Sequence, residues 1–156
     1  MMQRLVISAA IVTLLCSHAI AQRRIVDFTK FDEFGDVNCE DEAARLDKFA
    51  FYLKQQPAAN AVIIFYGGKT FRGRLPKRGE AQARAARLKP YLVGKRGIPS
   101  NHVIVVNGGY AEEWHVDLWI VPTGSVLPSS ERTPIPIKQI HFRKGKANPR
   151  DFRCGV

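Results

Sequence analysis

The chain has 156 residues, 46% of them apolar, and carries 24 Lys and Arg against 14 Asp and Glu, a formal net charge of +10. That length holds one domain with a real core but not two. Beyond the first 21 residues no stretch is long and apolar enough to cross a membrane, and no repeat of the solenoid type is present.

Residues 1–21 read as an export signal. Arg4 supplies the positive start, Leu5 to Leu15 is an apolar run too short for a bilayer, and Ala19-Ile-Ala21 is a small-x-small cleavage site. Cleavage before Gln22 removes Arg4 alone among the charged residues, so the mature charge falls from +10 to +9. A periplasmic or secreted chain is the expectation. Cys39 and Cys154 survive cleavage, and an oxidising compartment permits a disulfide between them, with two free thiols as the alternative.

Ile25 to Phe28 predicts a first strand, followed by an acidic turn from Asp32 to Asn38. Asn38 is placed to cap a helix, with Asp41 as its reciprocal partner three residues on. Glu40, Asp41 and Glu42 suit the positive end of the helix dipole. Ala43, Leu46, Ala50 and Leu53 recur at helical spacing, widened by Phe49, and Pro57 ends the run. Ala61 to Tyr66 is a continuous β-branched and aromatic run, which predicts a strand buried on both faces. Gly67-Gly68 reads as a turn with positive φ, leading into a polar, basic loop to Arg78.

A second helix is expected from Gly79 through Val93. Ala81, Ala85, Leu88 and Leu92 lie on its buried stripe, and Pro90 kinks it. Val103 to Val106 predicts another apolar strand and Asn107-Gly108-Gly109 a turn. Trp114 to Val121 alternates, with Trp114, Val116, Leu118 and Ile120 on one face and His115, Asp117 and Trp119 on the other. The order β-α-β-α-β-β implies right-handed crossovers, parallel neighbours and a closing antiparallel hairpin. The expected fold class is α+β, a two-layer sandwich with both helices on one face of a mixed sheet. The domain is set at residues 22–122. Residues 123–156, rich in proline and basic side chains, are expected to form a flexible basic tail, or an edge strand over Ile135–Phe142.

Charge is segregated along the chain. Eight acids between Asp27 and Asp47 face Lys30 and Arg45, whereas ten bases between Lys69 and Arg96 face only Glu80. A field this uneven favours anionic partners near the second helix and tail.

Arg84-Ala85, followed at the right spacing by Leu88, Tyr91 and Leu92 and then by Gly97-Ile98-Pro99, resembles the second helix of the OmpA-like family of cell-wall-binding domains. The similarity runs over roughly Phe31 to Val121 and shares the β-α-β-α-β-β order. It implies binding of the peptide stem of peptidoglycan, with Arg84 gripping a carboxylate through its two-pronged guanidinium. Arg87 and the Gly67-Gly68-Lys69 segment complete the expected ligand-binding set. The family's aspartate after the second strand has no counterpart in Tyr66-Gly67-Gly68-Lys69. A basic loop in its place should attract carboxylate or phosphate rather than ammonium.

Other chemistry is less well supported. Gly68-Lys69-Thr70 imitates the end of a phosphate-binding loop, but Ile63 stands where that motif needs glycine. His115 and Asp117 can form a dyad, extended on paper by Ser100 or His102, which keeps an exported hydrolase as one alternative, a structural partner of another envelope protein being the other. Neither a nucleophile elbow nor metal-ligand spacing supports the hydrolase. Trp119, Tyr66 and the basic loop have the residue types to stack on and neutralise nucleic acid. Export argues against nucleic acid and for peptidoglycan or another anionic envelope polymer. The expectation is a non-catalytic binding domain with no cofactor.

Overall fold

A computed structural model describes Phe28, residues 30–152 and Cys154. The export signal and residues 25–27 of the expected first strand lie outside the described residues. The fold is α+β. Its main sheet holds β1 (Lys30–Phe34), β2 (Ala59–Gly68), β4 (Val103–Ala111) and β5 (His115–Pro122) in the order β1-β5-β2-β4. β2 and β4 run parallel, and β5 is antiparallel to both β1 and β2. The expected β4–β5 hairpin therefore does not form, because β5 passes to the far side of β2. Burial explains the choice. Val116, Leu118, Asp117 and Trp119 are all buried, so β5 needs cover on both faces and a central place. In β4, Val105 is 37% exposed, which suits an edge.

The helices cover one face. α1 (Cys39–Lys54) begins at Asn38, whose side-chain oxygen accepts from the Asp41 backbone N–H at 2.9 Å while its amide donates to the Asp41 carboxylate at 2.8 Å. Leu46, Phe49, Ala50 and Leu53 lie buried against Ile63, Phe65, Val116 and Leu118. The second helix is not continuous. It runs as α2 (Glu80–Ala85), a short α3 (Leu88–Pro90) and a π-helical turn (Tyr91–Lys95). Pro90 has no N–H to give the preceding turn, and widening into a π turn keeps Leu88 and Leu92 in the core.

Gly67 and Gly68 do not form a turn; both are buried in β2. Their bareness serves close approach instead. A Cβ on Gly67 would lie 2.5 Å from the Tyr110 ring, and one on Gly68 would lie 2.7 Å from the Trp114 backbone nitrogen. Tyr66 packs in the same way over Gly108.

The largest departure from expectation is the C-terminal segment, which does not hang free. It crosses the sheet's second face from β1 to β4. Glu131 accepts from Lys30 of β1 at 2.7 Å, Arg132 reaches His115 of β5 and lies over the Tyr66 ring of β2, and Ile135 N–H donates to Tyr110 O of β4 at 2.7 Å. Ile140 is buried and Phe142 stands edge-on to Tyr110. The pairing strand is β6 (Arg143–Lys146), not Ile135–Phe142; it runs parallel to the two-residue β3 (Lys77–Arg78). The segment ends at a Cys39–Cys154 disulfide with Cα atoms 5.6 Å apart. It is a strap that passes round the domain and is tied to the start of α1.

Candidate functional site

Arg84 leaves α2 toward the β2–β3 loop and is only 6% exposed. Its guanidinium lies face-on to Phe71, 3.1 Å from the ring centroid, and Phe152 of the strap lies 4.8 Å away on it. Glu80, one helical turn back and itself buried, faces Arg84 Nη2 at 3.3 Å, with Asp36 at 3.9 Å. Burial pushes the Arg84 pKa below the usual arginine range, opposed by the charges of Glu80 and Asp36. Arg87 is engaged as well. It donates to both oxygens of the buried Glu42 at 2.6 and 2.5 Å, and to the backbone oxygen of Phe152 at 3.1 Å. Both arginines named from the sequence are thus held by acids of this chain, and each also touches the strap.

The space beside Arg84 is a cleft of about 370 Å³. Phe71 and Phe152 line it, with Arg84 and Glu80 deep and Arg72, Arg74, Leu75 and Arg143 around them. Four guanidinium groups stand against two carboxylates, Glu80 and Asp36. Arg72 pairs with Asp36 at 2.5 Å and Arg143 approaches Glu80 at 3.6 Å. Arg74 makes no ion pair among the described residues. Such a cleft can take a carboxylate or phosphate at the exposed guanidinium groups and an apolar or ring face against the phenylalanines.

Gly67 and Gly68 border only a void of about 10 Å³ below this cleft, barely the room of one water. Lys69 is exposed and lies 3.8 Å from Glu112, outside the cleft lining. The structure therefore gathers Arg84 into the cleft, sets Arg87 behind it, and leaves Gly67, Gly68 and Lys69 aside. Phe71, Arg143 and Phe152 were not anticipated. A signal for them exists: Phe-Arg recurs at 71–72, 142–143 and 152–153. The first two Arg, Arg72 and Arg143, and two of the Phe rings converge here, while the Phe142 ring supports Arg78 at 4.8 Å.

A second polar group lies at the other face of the sheet. Asp117 is fully buried; Tyr66 OH donates to its Oδ2 at 3.0 Å, and His115 Nε2 is 3.2 Å from Oδ1. Lys30 Nζ stands 3.7 Å from the same oxygen, which still has no aligned hydrogen-bond donor. Burial alone would raise the Asp117 pKa, but His115, Tyr66 and Lys30 together hold it below the ordinary aspartate value. Glu33, His115 and Asp117 offer ligand atoms within 4.8 Å of one another, a spacing compatible with a metal ion. Two cations, Lys30 and Arg132, already stand among them, with Arg132 3.5 Å from Glu33 and against His115. The site reads as an ion-pair network that fastens the strap.

Among the described residues no serine, threonine or cysteine side chain is hydrogen-bonded to His115. Nε2 of His115 faces Asp117, Glu33 and Arg132, not a serine hydroxyl. Ser100 and His102 belong to the other end of the sheet. Ala61 pairs with Val103 and Tyr66 with His115, five residues apart on β2, about 17 Å at the usual rise per residue.

A more apolar groove of about 220 Å³ runs beside the disulfide, lined by Leu46, Pro90 and Tyr91. It is more enclosed by hydrocarbon than the arginine cleft, and of the charged groups on its wall Glu42 and Arg87 are already paired with each other, leaving the exposed Lys95. Neither a protein-family model nor a curated protein matches this chain.

Proposed function

We propose that the chain is an exported, non-catalytic envelope domain that binds an anionic wall component, peptidoglycan in its specific form, at the arginine cleft. The observation that carries this reading is the concentration of four guanidinium groups and two phenyl rings in one open cleft beside the C-terminal end of β2. The resemblance to OmpA-like domains supplies the ligand class, and Arg84 lies within the cleft. Its geometry shifts the expected roles. Arg84 is a fixed positive floor already paired with Glu80, so first contact with a ligand carboxylate falls to the exposed Arg74 and Arg143.

The test is retention on purified peptidoglycan at low and at high salt. Exposed charges are screened within about 10 Å at 0.1 M salt, so retention should drop steeply across that range. The paired substitution Arg74→Ala and Arg143→Ala should remove most of it while the fold stays intact. Retention that survives both salt and the double substitution would place binding elsewhere.

A further inference from the structure

We infer that the C-terminal end of the strap, residues 147–152 with Cys154, is a redox-tethered cover over Arg84. The proposal rests on the cleft being the ligand site and adds its regulation. Three observations carry it. Phe152 lies against the Arg84 guanidinium, on a group that Phe71 and Glu80 already enclose. Beyond β6 the segment rests on α2 through residues 149–152 and is tied by few bonds: Ala147 N–H donates to Arg78 O, the Arg87 side chain donates to Phe152 O, and the covalent tie is Cys154 to Cys39. Cys39 is exposed, so a thiol in solution can reach the bond, and exposed disulfides are the readily reduced ones.

A dithiol reductant supplies the chemistry. Its thiolate attacks one sulfur of the bridge, the S–S bond breaks, and a mixed disulfide forms. Its second thiol then resolves that bond and leaves as the oxidised dithiol. Two electrons pass to the protein, and Cys39 and Cys154 each end as a protonated thiol. The segment is then held by one backbone hydrogen bond, one hydrogen bond from the Arg87 side chain and the packing of residues 149–152 on α2, without a covalent tie, which favours local opening over global unfolding. Opening removes Phe152 and presents one face of Arg84 to the cleft, adding a positive group to the exposed Arg74 and Arg143.

Three forms decide it: the oxidised protein, the reduced protein with both thiols capped by iodoacetamide, and Phe152→Ala kept oxidised. Two readouts are taken on each, the phenylglyoxal adduct on Arg84 by peptide mass spectrometry and retention on purified peptidoglycan at low salt. The adduct should rise about tenfold in both opened forms, the scale of a local opening relieved of its tether, and retention should rise with it. Circular dichroism shows whether reduction unfolds the chain, in which case Phe152→Ala alone decides. An adduct unchanged in Phe152→Ala overturns the cover. An adduct that rises while retention stays flat upholds the cover and overturns peptidoglycan as the ligand. Retention that falls on opening makes Phe152 part of the ligand platform and overturns the regulatory role.

Discussion

The helix–sheet body and the strap are built on different physics, although one chain makes both. The body is closed by apolar contact: Phe49, Leu46, Ile63, Leu88 and Leu118 are at most 1% exposed and meet in one cluster. The strap buries few large side chains, Ile140 among them, and is held by ion pairs, arginine–ring contacts and a disulfide. Apolar packing is non-directional and gives cooperative stability, whereas the strap's contacts are individually weak, directional and sensitive to pH, salt or redox state. One region is suited to persist and the other to respond.

Perturbing the two regions separately should therefore give effects that differ in size and in kind. Phe49→Ala empties the centre of the body and should cost about 3–5 kcal/mol in urea unfolding. Reducing the disulfide frees a long loop, and the chain-entropy model gives at most about 4.7 kcal/mol; because only weak contacts hold the freed segment, the measured loss should fall below that of Phe49→Ala. Arg87→Ala leaves Glu42 buried without its partner and should cost about 2 kcal/mol, with Arg87 partly exposed keeping the figure low.

Acid should loosen the strap side of the sheet. Lys30 chiefly, against the opposing effect of burial, holds the Glu33 pKa below its ordinary value, and Asp117 is likewise depressed. Depressed carboxylates contribute stability that is fully present above their unfolded values near 4 and is lost as pH falls through the lower folded values. Melting temperature should thus hold from pH 7 to about 5 and fall below about 4, and Asp117→Asn should flatten that fall. The smallest effect belongs to Arg74→Ala, whose melting temperature should match wild type even where peptidoglycan retention is reduced.

The body was largely legible because its signals are local and periodic. Asn38 and Asp41 stand in a capping spacing, the α1 stripe repeats at helical intervals, and Trp114 to Val121 alternates with the faces it takes. Strand order was not legible, since alternation tells which face a residue takes and not which neighbour its strand will have. The second helix misled because Ala81, Ala85, Leu88 and Leu92 keep one face through a break that only Pro90 marks. The strap hid for another reason. Its contacts join residues far apart, such as Lys30 with Glu131 and Arg84 with Phe152, and leave no period in the chain. Arg84 was named from the resemblance of its motif, whereas its burial depends on those distant partners.

The central place of β5 bears on how the chain is assembled. Until residues 115–122 are present, β1 has no strand beside it and β2 keeps one edge unpaired, so the sheet closes only when its last strand inserts between two others. Pairings that span most of the body raise the contact order and slow folding. Long residence in an open-edged state favours strand-to-strand association between molecules. Fragments ending before His115 should accumulate as aggregates rather than as a smaller folded unit, and refolding of the whole chain should be limited by the arrival of β5.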